Sequence, residues 1–115
     1  DMVRGHATRH NVEATFFQSN HEGELVTQVQ QSAGSYDYVI INAAAYTHTS
    51  IALKDAITGA GVKAVEIHLS NVHARESYRE NSMIAKACIG CINGFGASSY
   101  ILGLEACILH QKSDR

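Results

Sequence analysis

The feature that most constrains this chain is the alternation of short apolar runs with longer amphipathic stretches. Tyr38-Val39-Ile40-Ile41, residues 64 to 68 (AVEIH) and residues 87 to 92 (ACIGCI) are brief and nearly continuous in apolar side chains, the pattern of strands covered on both faces. Between them the period changes to that of a helix. Residues 23 to 33 bring Leu25, Val26 and Val29 to one side of a 3.6-residue wheel, with Gly34 at the boundary. Residues 51 to 58 follow Ser50 as an N-cap and stop at Gly59 and Gly61, and residues 97 to 109 direct Ile101, Leu104, Ile108 and Leu109 toward a core. Residues 12 to 18 (VEATFFQ) alternate loosely and read as a further strand, residues 2 to 11 read as the end of a helix, and residues 71 to 81 as a polar surface loop with some helix. Strands separated by helices build a parallel sheet wrapped by helices, so the expected class is α/β. With 115 residues the chain forms one domain, residues 1 to 115.

Composition removes several function classes. Hydrophobic residues make up 45% and charged residues 17%, enough for a core and too little charge for a disordered tail. Nine Lys and Arg against eleven Asp and Glu give a net charge of −2 with no basic cluster, so nucleic acid is not an expected partner. No apolar run has the length of a membrane helix and residues 1 to 10 lack the pattern of a signal peptide. No membrane partner is expected, and the expected location is cytoplasmic. Three cysteines, Cys88, Cys91 and Cys107, are an odd number in a Cys-poor chain, which points to reduced thiols. Cys88 and Cys91 have CxxC spacing, but on a buried strand their sulfurs face opposite ways, so they read as structural. Among seven histidines no pair has a convincing metal spacing with a third ligand, and no metal site is expected. Gly94-Phe95-Gly96 lacks both the GxGxxG spacing and the lysine of a phosphate loop.

Open α/β sheets bind ligands beyond the carboxyl ends of their strands, which directs attention to two polar segments. Residues 42 to 50 (NAAAYTHTS) offer the Asn42 amide, the His48 imidazole and a helix N-terminus. In the second segment, Glu66 and His68 are two apart on a strand and leave the same face, where the carboxylate can orient the imidazole and favour its protonated form. His68 is thereby a candidate general acid, and Ser70, next on that face, can bind a carboxylate or a hydroxyl. The residues alone admit a second reading of equal weight, a hydrogen-bonded core histidine with Glu66 as its partner. His73, Arg75, Glu76 and Arg79 read as a solvated charged loop unless Arg79 points back at the site, and Asp55 as an exposed carboxylate unless a neighbour uses it.

Four segments carry a family resemblance: residues 16 to 25 (FFQSNHEGEL), 41 to 57 (INAAAYTHTSIALKDAI), 65 to 76 (VEIHLSNVHARE) and 93 to 106 (NGFGASSYILGLEA). Together they resemble type II 3-dehydroquinate dehydratase, the small shikimate-pathway enzyme with a flavodoxin-like three-layer α/β sandwich. The resemblance implies a lyase that dehydrates 3-dehydroquinate to 3-dehydroshikimate through an enolate, in aromatic amino acid biosynthesis, with no metal or organic cofactor. It implies that His68 gives a proton to the departing hydroxyl and that Glu66 orients it. Leu69 and Ser70 would receive the substrate carboxylate, Asn42 and Ala44 would line its wall, and His48 and Arg79 would read the ring hydroxyls. Asp55 would enter the site of a neighbouring subunit, in trimers stacked into a homododecamer. The family also begins with a strand, a Gly-Pro-Asn-Leu-Asn loop and a lid bearing an Arg and the catalytic Tyr, none of which is in this sequence. Tyr36, Tyr38, Tyr46, Tyr78 and Tyr100 all lie outside that context. The expectation is therefore an incomplete copy, with the first strand and lid missing. The competing expectation is an inactive flavodoxin-like carboxylate-binding module that has lost its catalytic lid.

Overall fold

The computed structural model describes residues 2–44, 46–70 and 82–113. In chain order the elements are α1 (Met2–Arg9), α2 (Glu22–Ser32), β1 (Val39–Ile41), the single turn α3 (Tyr46–Thr49), α4 (Ile51–Ala60), β2 (Ala64–His68), a 3-10 turn (Ala85–Ala87), β3 (Gly90–Asn93) and α5 (Ser98–Ser113), and strands alternate with helices from β1 onward. The strands form one parallel sheet in the order β1-β2-β3. Its register sets Ile41 beside Glu66, Glu66 beside Cys91 and His68 beside Asn93.

Strand alternation sorts the core into two layers, one on each side of the sheet. Ala64 and Ile41 pack with Val29 of α2 and Leu53, Ala56 and Ile57 of α4. Val65 and Ile67 point the other way, onto Cys107 and Tyr100 of α5 together with Ile40 and Ile92. All five residues of β2 are buried, as its unbroken apolar pattern requires of a strand with neighbours on both sides. Helix α4 begins where the sequence places its cap: Ser50 Oγ accepts the Leu53 N–H at 2.9 Å, a contact contributing about 1 kcal/mol. It ends on Gly61 at φ 68°, a left-handed backbone that glycine adopts without a steric penalty. Gly103 serves a different need, since a Cβ there would lie 3.2 Å from both Ile40 and Ile67. Its missing side chain lets α5 lie close against the sheet.

Several expectations are corrected. Residues 12 to 18 form no strand among the described residues; a strand needs a neighbour for its backbone groups, and within the described sheet β1 pairs only with β2. Phe16 and Phe17 are about half exposed, with Arg4 stacked 4.6 Å above the Phe16 ring. The third expected strand starts at Gly90 rather than Ala87, because residues 85 to 87 close a 3-10 turn first. Cys88 therefore precedes β3, and the alternating-face argument does not apply to it. On α5 the buried stripe is Ser99, Gly103, Leu104 and Cys107, whereas Leu109 is 58% exposed. The loop expected over residues 71 to 81 lies outside the described residues.

The cysteines are free thiols. Burial, reinforced by the Glu66 carboxylate and by Cys91, pushes the Cys88 thiol up to about 12, and burial pushes Cys107 up to about 11. In the unfolded chain both release their protons near 9.0. Between those values the folded chain holds more protons than the unfolded one, so this contribution to stability is present below pH 9 and is lost as pH rises. Urea midpoints measured between about pH 8 and about pH 10.5 should fall, and should fall less steeply in Cys88→Ser. An identical slope in that variant would remove Cys88 from the alkaline transition.

Candidate active site

The β-branched residues around Glu66 and His68 make β2 a strand, and the two-residue period sets both polar side chains on the face shared with Ala64. Glu66 is 1% exposed and His68 7%. A carboxylate accepts but does not donate, so His68 Nε2–H donates to Glu66 Oε2, at 2.5 Å. The other carboxylate oxygen, Oε1, is buried without a hydrogen-bond partner among the described residues. His48, on α3, lies nearly parallel to His68, with ring centroids 6.4 Å apart and planes 18° from coplanar. Two imidazoles and a buried carboxylate thus meet at the carboxyl end of the sheet.

The loop after β3 holds the end of β2 in place. Gly94 N–H donates to the His68 carbonyl at 3.1 Å, Gly96 N–H to the Leu69 carbonyl at 2.7 Å, and the Ser99 hydroxyl to the His68 carbonyl at 3.3 Å. Both glycines have positive φ, 97° and 58°, the conformation that turns their amides back toward β2. Those amides serve the backbone, which accounts for the superficial likeness of Gly94-Phe95-Gly96 to an anion-binding loop. At the end of β1, Asn42 is braced on both sides of its amide. Its Oδ1 accepts the Ala44 N–H at 3.2 Å and its Nδ2 donates to the Tyr100 hydroxyl at 3.3 Å. Ala44 itself sits at φ 52°, a backbone that non-glycine residues rarely adopt.

The structure brings Glu66, His68 and His48 together. Leu69 is 39% exposed and Ser70 is exposed at the bend after β2, both directly following His68. Asp55 is exposed on α4, and no hydrogen bond or ion pair joins it to Glu66 or His68 among the described residues. Arg79, with His73, Arg75 and Glu76, lies outside the described residues.

Three residues near this site escape sequence reasoning. Tyr100 reaches Asn42 from α5, 58 positions away. Asn93 neighbours His68 across the sheet, and Cys91 neighbours Glu66. Cross-strand register is a tertiary property, and no local spacing announces it. Third potential metal ligands, which sequence spacing does not announce, come from the same cross-strand and helix packing. One donor atom each from Glu66, His68 and Cys91 lie within 4.8 Å of one another, and a second trio, His6, His10 and Glu105, meets the same criterion. Cys91 is exposed, so its burial in a strand was also an incorrect expectation. Partial burial and the adjacent Glu66 charge raise its thiol, which keeps it protonated.

A buried carboxylate held to an imidazole at the carboxyl end of a parallel sheet can carry a proton to or from a ligand. Comparison with known proteins narrows the setting. The family model described as Dehydroquinase class II matches residues 1–108. The 3-dehydroquinate dehydratase of Acaryochloris marina is 55% identical over 95 residues, covering 83% of this chain and 64% of that protein. The enzyme of the same name from Azorhizobium caulinodans is 54% identical over 105 residues, 91% of this chain and 71% of that protein. In structure, the type II dehydroquinase of Butyrivibrio crossotus superposes with a TM-score of 0.90 at 35% identity, covering 93% of this chain and 75% of its own. The match extends along nearly the whole chain and includes its fold, and the chain belongs to the class II dehydroquinase family.

Proposed function

We propose that the protein is a hydro-lyase that converts 3-dehydroquinate to 3-dehydroshikimate, with His68 as general acid. The observation that carries the reading is the buried Glu66–His68 contact at the carboxyl end of β2, in a chain whose relatives are named 3-dehydroquinate dehydratase. A base outside the described residues takes a proton from the carbon beside the carbonyl, and the electron pair moves onto the carbonyl oxygen as an enolate. The carbonyl then re-forms, the C–OH bond breaks, and the oxygen leaves as water with a proton from the imidazole. Since Nε2–H is donated to Glu66, the proton for the hydroxyl comes from Nδ1. Glu66 keeps the ring in one orientation through that transfer.

In this reading Leu69 and Ser70 receive the substrate carboxylate, Asn42 and Ala44 line the wall, and His48 and Arg79 bind the ring hydroxyls. The exposure of Leu69 and Ser70 and the nearness of His48 to His68 support these roles. Residues 1 to 115 act as one flavodoxin-like domain, whose working form carries a further strand and a lid loop with the base; the edge of β1 with no partner among the described residues supports this. No helix among the described residues is long and apolar enough to cross a membrane. By its relatives' activity we place the protein in the shikimate pathway, toward aromatic amino acid biosynthesis, as a cytoplasmic enzyme.

Incubated with 3-dehydroquinate, the protein carrying that N-terminal segment should raise ultraviolet absorbance as the conjugated enone forms. His68→Ala should lower the rate by about 10²- to 10⁴-fold with little change in substrate affinity. A folded, complete protein that forms no enone but binds the substrate carboxylate would favour the inactive binding module instead.

Asp55 is the residue whose role depends on assembly. We propose that it enters the site of a neighbouring subunit in trimers that stack into a dodecamer, a reading supported by its exposure on α4. Inactive Asp55→Ala and His68→Ala chains, allowed to exchange subunits, should then regain part of the activity, because some mixed sites are intact. Full activity in a monomer by light scattering would return Asp55 to the ordinary surface carboxylates.

A further inference from the structure

Far from the Glu66–His68 pair in sequence, two helices bring three metal-binding groups to one point. His6 lies on α1 and His10 one turn further on, a four-residue spacing that stacks their side chains on one face. The rings are 4.5 Å apart between centroids. Glu105 comes from α5, which packs against α1. Its Oε1 is 2.6 Å from His6 Nε2 and 3.4 Å from His10 Nε2.

The protons in this cluster are informative. His10 Nδ1 lies 3.0 Å from the His6 carbonyl, and a carbonyl only accepts, so Nδ1 carries the proton. His10 Nε2 is thereby left to face the Glu105 carboxylate, 3.4 Å away. Donation from the second ring nitrogen to a backbone carbonyl is also the arrangement that fixes the orientation of metal-ligating imidazoles.

We propose that His6, His10 and Glu105 form a binding site for a zinc-class divalent cation that fastens α1 to α5. Two imidazole nitrogens and one carboxylate oxygen suit zinc, and donors around a tetrahedral zinc ion are about 3.3 Å apart. The His10–Glu105 separation already fits, and the His6–Glu105 pair has to open slightly. As the metal takes its place, the proton on His6 Nε2 passes to Nδ1, leaving a neutral ring with its lone pair on the ion. His6 is mostly covered at 16% exposure, whereas His10 and Glu105 are about one-third exposed. The fourth position thus opens to water. The ion takes no part in the proposed dehydration; its effect is to join the first helix to the last.

The test uses the untagged protein, stripped with chelator and titrated calorimetrically with zinc chloride alone. One ion should bind per chain and raise the melting temperature. His10→Ala and Glu105→Gln should each weaken binding by about tenfold or more, the second while keeping a hydrogen-bond acceptor for His6. Cys91→Ser should leave affinity and stoichiometry unchanged, and the cobalt complex should lack a thiolate charge-transfer band. The proposal is overturned if no saturable binding occurs below about 100 μM zinc. It is also overturned if Glu105→Gln binds as tightly as the parent. Loss of binding in Cys91→Ser would overturn it too, assigning the ion to Glu66, His68 and Cys91.

Discussion

Burying the Glu66 carboxylate at 1% exposure is the constraint around which the carboxyl end of the sheet is organised. Removing an ionised carboxylate from water costs several kcal/mol, and the charge persists only where partners compensate. Here the His68 ring is that partner, and the arrangement depends on β2 having strands on both sides. Those strands satisfy its backbone, so the side chains can be held in a covered place without leaving orphaned amides. Glycine-rich turning after β3 then spends its amides and the Ser99 hydroxyl on the carbonyls of His68 and Leu69, which keeps the imidazole at the strand tip.

The same layering separates structural work from chemistry. One face of the sheet is filled by α2 and α4, the other by α5, and Gly103 allows the last helix to approach Ile40 and Ile67 closely. Cys88 and Cys107 are absorbed into this packing as protonated thiols. At the rim, by contrast, Asn42 and Tyr100 link the ends of β1 and α5. Polar groups are concentrated where the strands end, as expected of a sheet that binds its ligand there.

Much of this was legible in the sequence because it is local. The cap at Ser50, the stop at Gly61 and the shared face of Glu66 and His68 follow from spacing alone. What escaped depends on neighbours. Residues 12 to 18 have the composition of a strand, but pairing requires a second strand alongside. The expected strand at residues 87 to 92 lost its first three residues, because a 3-10 turn ends at Ala87 and β3 begins only at Gly90. Leu109 is apolar but falls outside the buried stripe set by Gly103 and Cys107. His6 and His10 are four residues apart, which carried no signal by itself, and only the packing of α1 on α5 brings Glu105 to them.

In the proposed dehydration Glu66 acts through His68 rather than on the substrate. A double-mutant cycle on kcat/KM for 3-dehydroquinate tests it most directly, with Glu66→Gln, His68→Asn and the pair combined. Once His68 is gone, the second substitution should change the rate by less than about threefold. If the two losses multiplied in full, Glu66 would be acting independently of His68, and its role as the orienting partner would be refuted.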